Sequence, residues 1–171
     1  MSQSVSRRVV LGSLATLPVV GAGAAEAREV VAMPAPYPAG TIVVSTSQRR
    51  LYFVLGNGSA LRYPVAVGRP GKQWFGQRFI DGKFVRPAWS PPEDVRRDNP
   101  NLPNVIAGGA RNNPMGERCM TISPGQYAVH GTNVPGSIGT FASYGCVRMY
   151  NHDIVELFER VPIGAPIIVV R

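Results

Sequence analysis

Charged residues make up only 16% of this 171-residue chain, which has just two cysteines and two histidines. Two cysteines cannot build a disulfide scaffold, and two histidines leave a metal site short of ligands, so no metal or organic cofactor is expected. No apolar run is long enough to form a stable membrane span. The nineteen glycines and sixteen prolines fall in no repeating triplet, which excludes collagen. What is present is 44% apolar and 8% aromatic, enough for one domain with a real core and incompatible with disorder. So many turn residues favour a β protein. The net charge of +8 is spread along the chain, with Arg49-Arg50 and Arg96-Arg97 the densest runs. Such diffuse basicity reads as a solvated surface, and nucleic acid is not expected as a partner.

Residues 1–27 read as an export signal. Arg7-Arg8 form a positive start, Val9 to Val20 a short apolar stretch, and Ala25-Glu26-Ala27 a cleavage site that leaves Arg28 first. Ser6-Arg7-Arg8-Val9-Val10-Leu11 resembles a twin-arginine signal. The expected location is outside the cytoplasm, in the periplasm or cell envelope, with no stable membrane span once the signal is removed. Residues 28–40 form a proline-rich lead-in, and the folded domain is expected over 41–171.

From Thr41 the apolar runs are short. Ile42-Val43-Val44, Leu51 to Leu55 and Leu61 to Val67 read as strands, the last two joined at Gly56-Asn57-Gly58. Residues 68–117 read as long loops with short strands near Phe79-Ile80 and Phe84-Val85. Cys119 to Ile122, a Pro124-Gly125 turn and Tyr127 to His130 form a second hairpin. Residues 153–161 read as a helix with Asp153 and Glu156 as its capping box, and Ile167 to Val170 as a buried closing strand.

Two features carry chemistry. His130 ends a strand and is followed by Gly131-Thr132; sixteen residues after the histidine comes Cys146, within Ser143-Tyr144-Gly145-Cys146-Val147-Arg148-Met149. A cysteine nucleophile needs a base and an array of donors for the oxyanion, and the glycine before it lets backbone N–H groups come close. The competing reading is a Cys119–Cys146 disulfide, with Cys119 otherwise a small core residue. His152 reads as a surface residue. Trp74, Trp89, Tyr127 and Phe141 read either as core or as platforms for sugar rings.

The flanking residues decide further. His-Gly-Thr, a spacer and Ser-x-Gly-Cys-Val-Arg-Met resembles the catalytic motif of the L,D-transpeptidase (YkuD-type) family. Tyr63 to Gly68, Pro87-Ala88-Trp89, Asn113 to Gly116 and Val161 to Pro166 look like that domain's landmarks in the same order. The resemblance implies a mostly β fold, a mixed β-sandwich or barrel with one peripheral helix. It implies Cys146 as nucleophile, His130 as general base and proton donor, and the Gly131 carbonyl as the group orienting His130. Tyr144 and Gly145 would serve the oxyanion and the loop, while Ser143 and Arg148 would bind substrate or support the loop. The implied substrates are peptidoglycan stem peptides as donor and acceptor, with carbapenem-type β-lactams as covalent inhibitors. The alternatives are a carboxypeptidase that trims stems, or a wall-binding module without catalysis. Two departures stand out: the motif's second histidine is Tyr144 here, and Lys72 to Gln77 replace a stretch commonly Thr-Pro-x-Gly.

If the twin-arginine route is used, Arg7→Lys with Arg8→Lys should block export. Fractionation of cells carrying that double variant, with the protein still outside the cytoplasm, would leave only the ordinary secretory route.

Overall fold

The computed structural model describes residues 28–34 and 36–171, so the proposed export signal lies outside the described residues. Among the described residues eleven strands form two sheets. The strands are β1 (Glu29–Ala32), β2 (Ile42–Ser45), β3 (Arg50–Gly56), β4 (Ser59–Pro64), β5 (Val67–Gly68), β6 (Gly76–Val85), β7 (Arg118–Ser123), β8 (Tyr127–His130), β9 (Phe141–Ser143), β10 (Val147–Arg148) and β11 (Pro166–Val170). Nine of them run in the order β1-β4-β3-β2-β11-β6-β7-β8-β10, while β5 and β9 pair separately. Two helices, α1 (Glu93–Asp98) and α2 (Asn151–Arg160), complete the described elements longer than a single turn.

The large sheet is mixed, as expected. β2 lies between antiparallel β3 and parallel β11, and all four of its residues are buried. That double-sided burial is why its sequence is a continuous apolar run. The sheet also closes on itself. Just beyond β4, Ala66 exchanges two 2.9 Å backbone hydrogen bonds with Arg148 of β10, at the far end of the strand order. One continuous core results, with Ile42, Leu51, Tyr63, Met120, Met149 and Ile167 among its fully buried side chains. This is the barrel-like, mostly β architecture the sequence predicted.

The differences have physical causes. Glu29–Ala32 pair with β4 as an edge strand, ahead of the prolines, so part of the lead-in joins the sheet at its rim. β6 is one ten-residue strand across a bulge at Ile80–Gly82, where two short strands were expected. Its irregular exposure pattern hides the alternation. The 86–117 segment carries α1, which buries no side chain and so has no apolar stripe to read.

α2 starts two residues before the predicted helix, and the predicted capping box does not form. Its N-cap is Tyr150, without a side-chain cap. Asp153 is instead buried in the first turn beside His152 (Oδ1 to Nε2 3.4 Å), with burial raising its pKa. Glu156 accepts a hydrogen bond from the buried Tyr63 hydroxyl and pairs with Arg160 and Arg28. The other end of α2 is capped from the sheet: Lys83 Nζ of β6 donates to the Phe158 carbonyl at 2.5 Å and the Val161 carbonyl at 2.8 Å. A cation is favourable there because the last carbonyls of a helix carry partial negative charge.

Lys83→Met keeps the stem and removes those two bonds. We expect a loss of about 1–2 kcal/mol in chemical denaturation, with the fold retained.

Candidate active site

The site is assembled where β8 meets β10. These strands pair in parallel, with Val129 opposite Val147 and His130 opposite Arg148. In-register neighbours share a face, and residues two apart along a strand do too. The His130 imidazole, Arg148 guanidinium and Cys146 thiol are thereby brought to one side of the sheet. All three line one cavity of about 550 Å³.

His130 is buried, and its Nδ1 lies 2.7 Å from the carbonyl of Gly131, the residue to which the family resemblance gives the orienting role. That contact places the ring proton on Nδ1. Gly131 has no room for a side chain, because a Cβ would collide with Asn151 Oδ1. Asn151 was not singled out in the sequence, yet it fastens this turn. Its Oδ1 accepts from the N–H groups of Glu117 (3.2 Å) and Thr132 (3.1 Å), and its Nδ2 donates to the Thr132 carbonyl (3.0 Å). Asn113 was noted only as part of a landmark. It is buried and donates to the Pro87 and Ala107 carbonyls, both at 2.9 Å, while accepting from the Met115 N–H. It thereby shapes the loop that brings Pro114 to the His130 ring.

Ser143 to Cys146 form a closed turn between β9 and β10. Ser143 Oγ donates to the Cys146 carbonyl at 2.5 Å and accepts from the Gly145 N–H at 3.1 Å. The Gly145 amide is thus already engaged, which leaves the N–H groups of Tyr144 and Cys146 as the turn's remaining donors. Gly145 has φ of +117° and faces the Tyr127 ring so closely that a Cβ would clash. Its carbonyl accepts from Trp74 Nε1 at 3.0 Å. Trp74 stacks on Tyr127 at 5.5 Å, and Arg78 lies over both rings. Trp74 therefore belongs to the scaffold under the turn, in the stretch that departs from the family pattern. Trp89 lines the cavity, whereas Phe141 is exposed beneath Arg49.

Both cysteines are free thiols. Cys119 of β7 is opposite His130, so the whole of β8 separates it from Cys146. Two interstrand spacings, about 10 Å, exceed the reach of a disulfide. Burial pushes the Cys119 thiol up to about 12.

Burial also governs His130 and Cys146. It lowers the His130 pKa to about 4, with the Arg148 charge adding to the effect and backbone bonds to Gly131 and Pro114 opposing it. It raises the Cys146 thiol, against smaller opposing contributions from the Ala128 backbone and Arg148. At neutral pH the resting pair is a neutral thiol and a neutral imidazole. Among the described residues Arg148 makes no ion pair, and burial lowers its pKa.

The structure thus brings a thiol and an imidazole held by a backbone carbonyl to one cavity of a closed β-sheet, the groups that acyl transfer to sulfur would require. The comparisons with known proteins make the family specific. The L,D-transpeptidase catalytic domain model, YkuD, matches residues 39–169, and the chain belongs to this family. It is 36% identical over 132 residues to the probable L,D-transpeptidase YbiS of Escherichia coli K12, covering 72% of this chain and 42% of that protein. It is 32% identical over 158 residues to the putative L,D-transpeptidase YkuD of Bacillus subtilis, covering 90% and 82%. The chain therefore spans less than half of the first relative and most of the second. L,D-transpeptidase 3 of Mycobacterium tuberculosis, solved with a faropenem-derived adduct, shares the fold at a TM-score of 0.60 and 17% identity, covering 77% of this chain and 60% of that one.

The depressed His130 pKa has a consequence for stability. Between pH ~6.5, the ordinary histidine value, and about 4, the unfolded imidazole takes up a proton that the folded one refuses. Stability should fall as pH falls through that window. Denaturation curves of His130→Gln should show a weaker decline than wild type over the same range.

Proposed function

We propose that this chain is an exported cysteine acyltransferase acting on peptidoglycan stem peptides, releasing a terminal D-alanine. The observation that carries this reading is the meeting of Cys146 and His130 at one cavity within a member of this family. Cys146 Sγ attacks the carbonyl between a diamino acid and the terminal D-alanine. His130 Nε2 accepts the thiol proton as the C–S bond forms, since the neutral resting pair holds no preformed thiolate. Gly131 keeps the ring oriented through Nδ1. The N–H groups of Tyr144 and Cys146 receive the tetrahedral oxyanion. On collapse the C–N bond breaks, and the D-alanine amine leaves with the proton from His130. A thioester remains on Cys146. An acceptor amine then attacks it, passes its proton to His130, and the returned thiol closes the cycle.

Arg148 supplies the cavity's unpaired cation, which suits a carboxylate of the stem peptide. Ser143 supports the loop through its two hydrogen bonds. The faropenem-derived adduct on the mycobacterial enzyme supports the same chemistry here: attack by Cys146 on a β-lactam carbonyl opens the ring.

Incubation with purified muropeptides and mass analysis of the products tests the reading. Dimers support transpeptidation, trimmed monomers would show that water is the acceptor, and unchanged substrate would leave a binding module. Cys146→Ala should abolish turnover. His130→Ala should lower it about 10²–10⁴-fold, and the double variant should be no worse than Cys146→Ala.

A further inference from the structure

Tyr144 is fastened differently from its neighbours in the turn. Ser143 and Gly145 are held from within the fold, by their own hydrogen bonds and by the Trp74 indole. Tyr144 is held from across the rim of the cavity. Its hydroxyl donates to Asp98 Oδ2 at 2.7 Å. The Arg69 guanidinium lies 3.9 Å from the centre of its ring and donates to the same carboxylate oxygen at 2.5 Å. The three groups satisfy one another: a phenol donor, a charged acceptor, and a cation over the ring face.

Asp98 ends α1, whose only described ties to the segment beside the turn are this cluster and the Lys72–Asp94 pair. The turn holds the residues on either side of Tyr144, but its ring is tied only through this cluster among the described hydrogen bonds. It is partly exposed, and the residue after it is a glycine in the left-handed region. An oxyanion donor works only if its direction is fixed before the charge develops. A ring tethered at its far end limits rotation about the Tyr144 backbone, and so the direction of its N–H.

We infer that Asp98, together with Arg69, is a positioning residue for acyl transfer, acting through the Tyr144 ring on the oxyanion-binding turn. The inference rests on the acyl-transfer reading above. It concerns residues outside the motif, and it gives Tyr144 a task that its tyrosine hydroxyl performs.

The test uses the intact protein with imipenem as the acylating probe, following adduct formation on Cys146 by mass. The maximal acylation rate and the half-saturating concentration are measured separately. Asp98→Ala and Tyr144→Phe should each lower the maximal rate about tenfold and leave the half-saturating concentration nearly unchanged. The double variant should be no slower than the slower single one. Asp98→Asn keeps an acceptor for the hydroxyl and should recover most of the rate. The Asp98 hydrogen bond raises the Tyr144 phenol pKa. An ultraviolet titration should therefore show one tyrosine moving back toward its ordinary range in Asp98→Ala, and that same tyrosine missing in Tyr144→Phe. Wild-type acylation rates in Asp98→Ala, or losses that add in the double variant, overturn the inference. If Asp98→Ala fails to fold, Tyr144→Phe decides: an unchanged rate in that variant overturns it. A wild-type protein that forms no adduct on Cys146 overturns the acyl-transfer reading itself, and this inference with it. An acylated wild type indifferent to Asp98 overturns only the inference.

Discussion

The parallel pairing of β10 on β8 is the constraint from which the site follows. Two residue pairs, Val147 with Val129 and Arg148 with His130, set the register of the segment after Cys146 against the strand that carries the histidine. A shift of one residue would turn Cys146 and Arg148 to the opposite face. So short a ladder is not stable alone. It is held on its other side by the Ala66–Arg148 bridge that closes the sheet, and Met149 N–H extends it by donating to the His130 carbonyl at 2.8 Å. Barrel closure and site geometry are therefore the same event.

Around that ladder the backbone is fastened by the side chains of Asn151, Asn113, Ser143 and Trp74. Asn151 ties the turn after His130 to the loop before β7, and Asn113 organises the long segment leading to Pro114. Ser143 closes the turn before Cys146, and Trp74 holds that turn from below. Each engages backbone groups that would otherwise be costly to bury. Glycine occupies 131 and 145 because Asn151 and Tyr127 stand where a Cβ would go. The result is a turn and a loop whose backbone is fixed by contacts within the fold.

Burial has a second effect. It removes charge from the pair, keeping the thiol protonated and the imidazole neutral. An unpartnered thiolate–imidazolium pair would be expensive in this cavity, so proton transfer is coupled to bond formation in the proposed reaction. Among the described residues of the wall Lys72 pairs with Asp94, whereas Arg148 makes no ion pair and is close enough to influence both groups. The rim is different in kind. α1 buries nothing and is attached by exposed polar contacts, which are individually weak.

The sequence by itself determined the strand-rich class, both hairpins and the buried closing strand, and it singled out Cys146, His130 and Gly131, which the structure brings together. These are written in local terms: apolar runs bounded by turn residues, a helix stripe, and a motif of contiguous residues. The tertiary structure decided what depends on partners distant in sequence. β5, β9 and β10 are two or three residues long, too short to show any period, and exist only because other strands present free backbone groups to them. Asp153 and Glu156 have the spacing of a capping box, but Tyr63 and the core claim them instead. Lys72 to Gln77 and Asp98 carry no local pattern. Only the closed sheet brings Trp74 under Gly145 and Asp98 to Tyr144, because such contacts span tens of residues and are fixed by register rather than by neighbours along the chain.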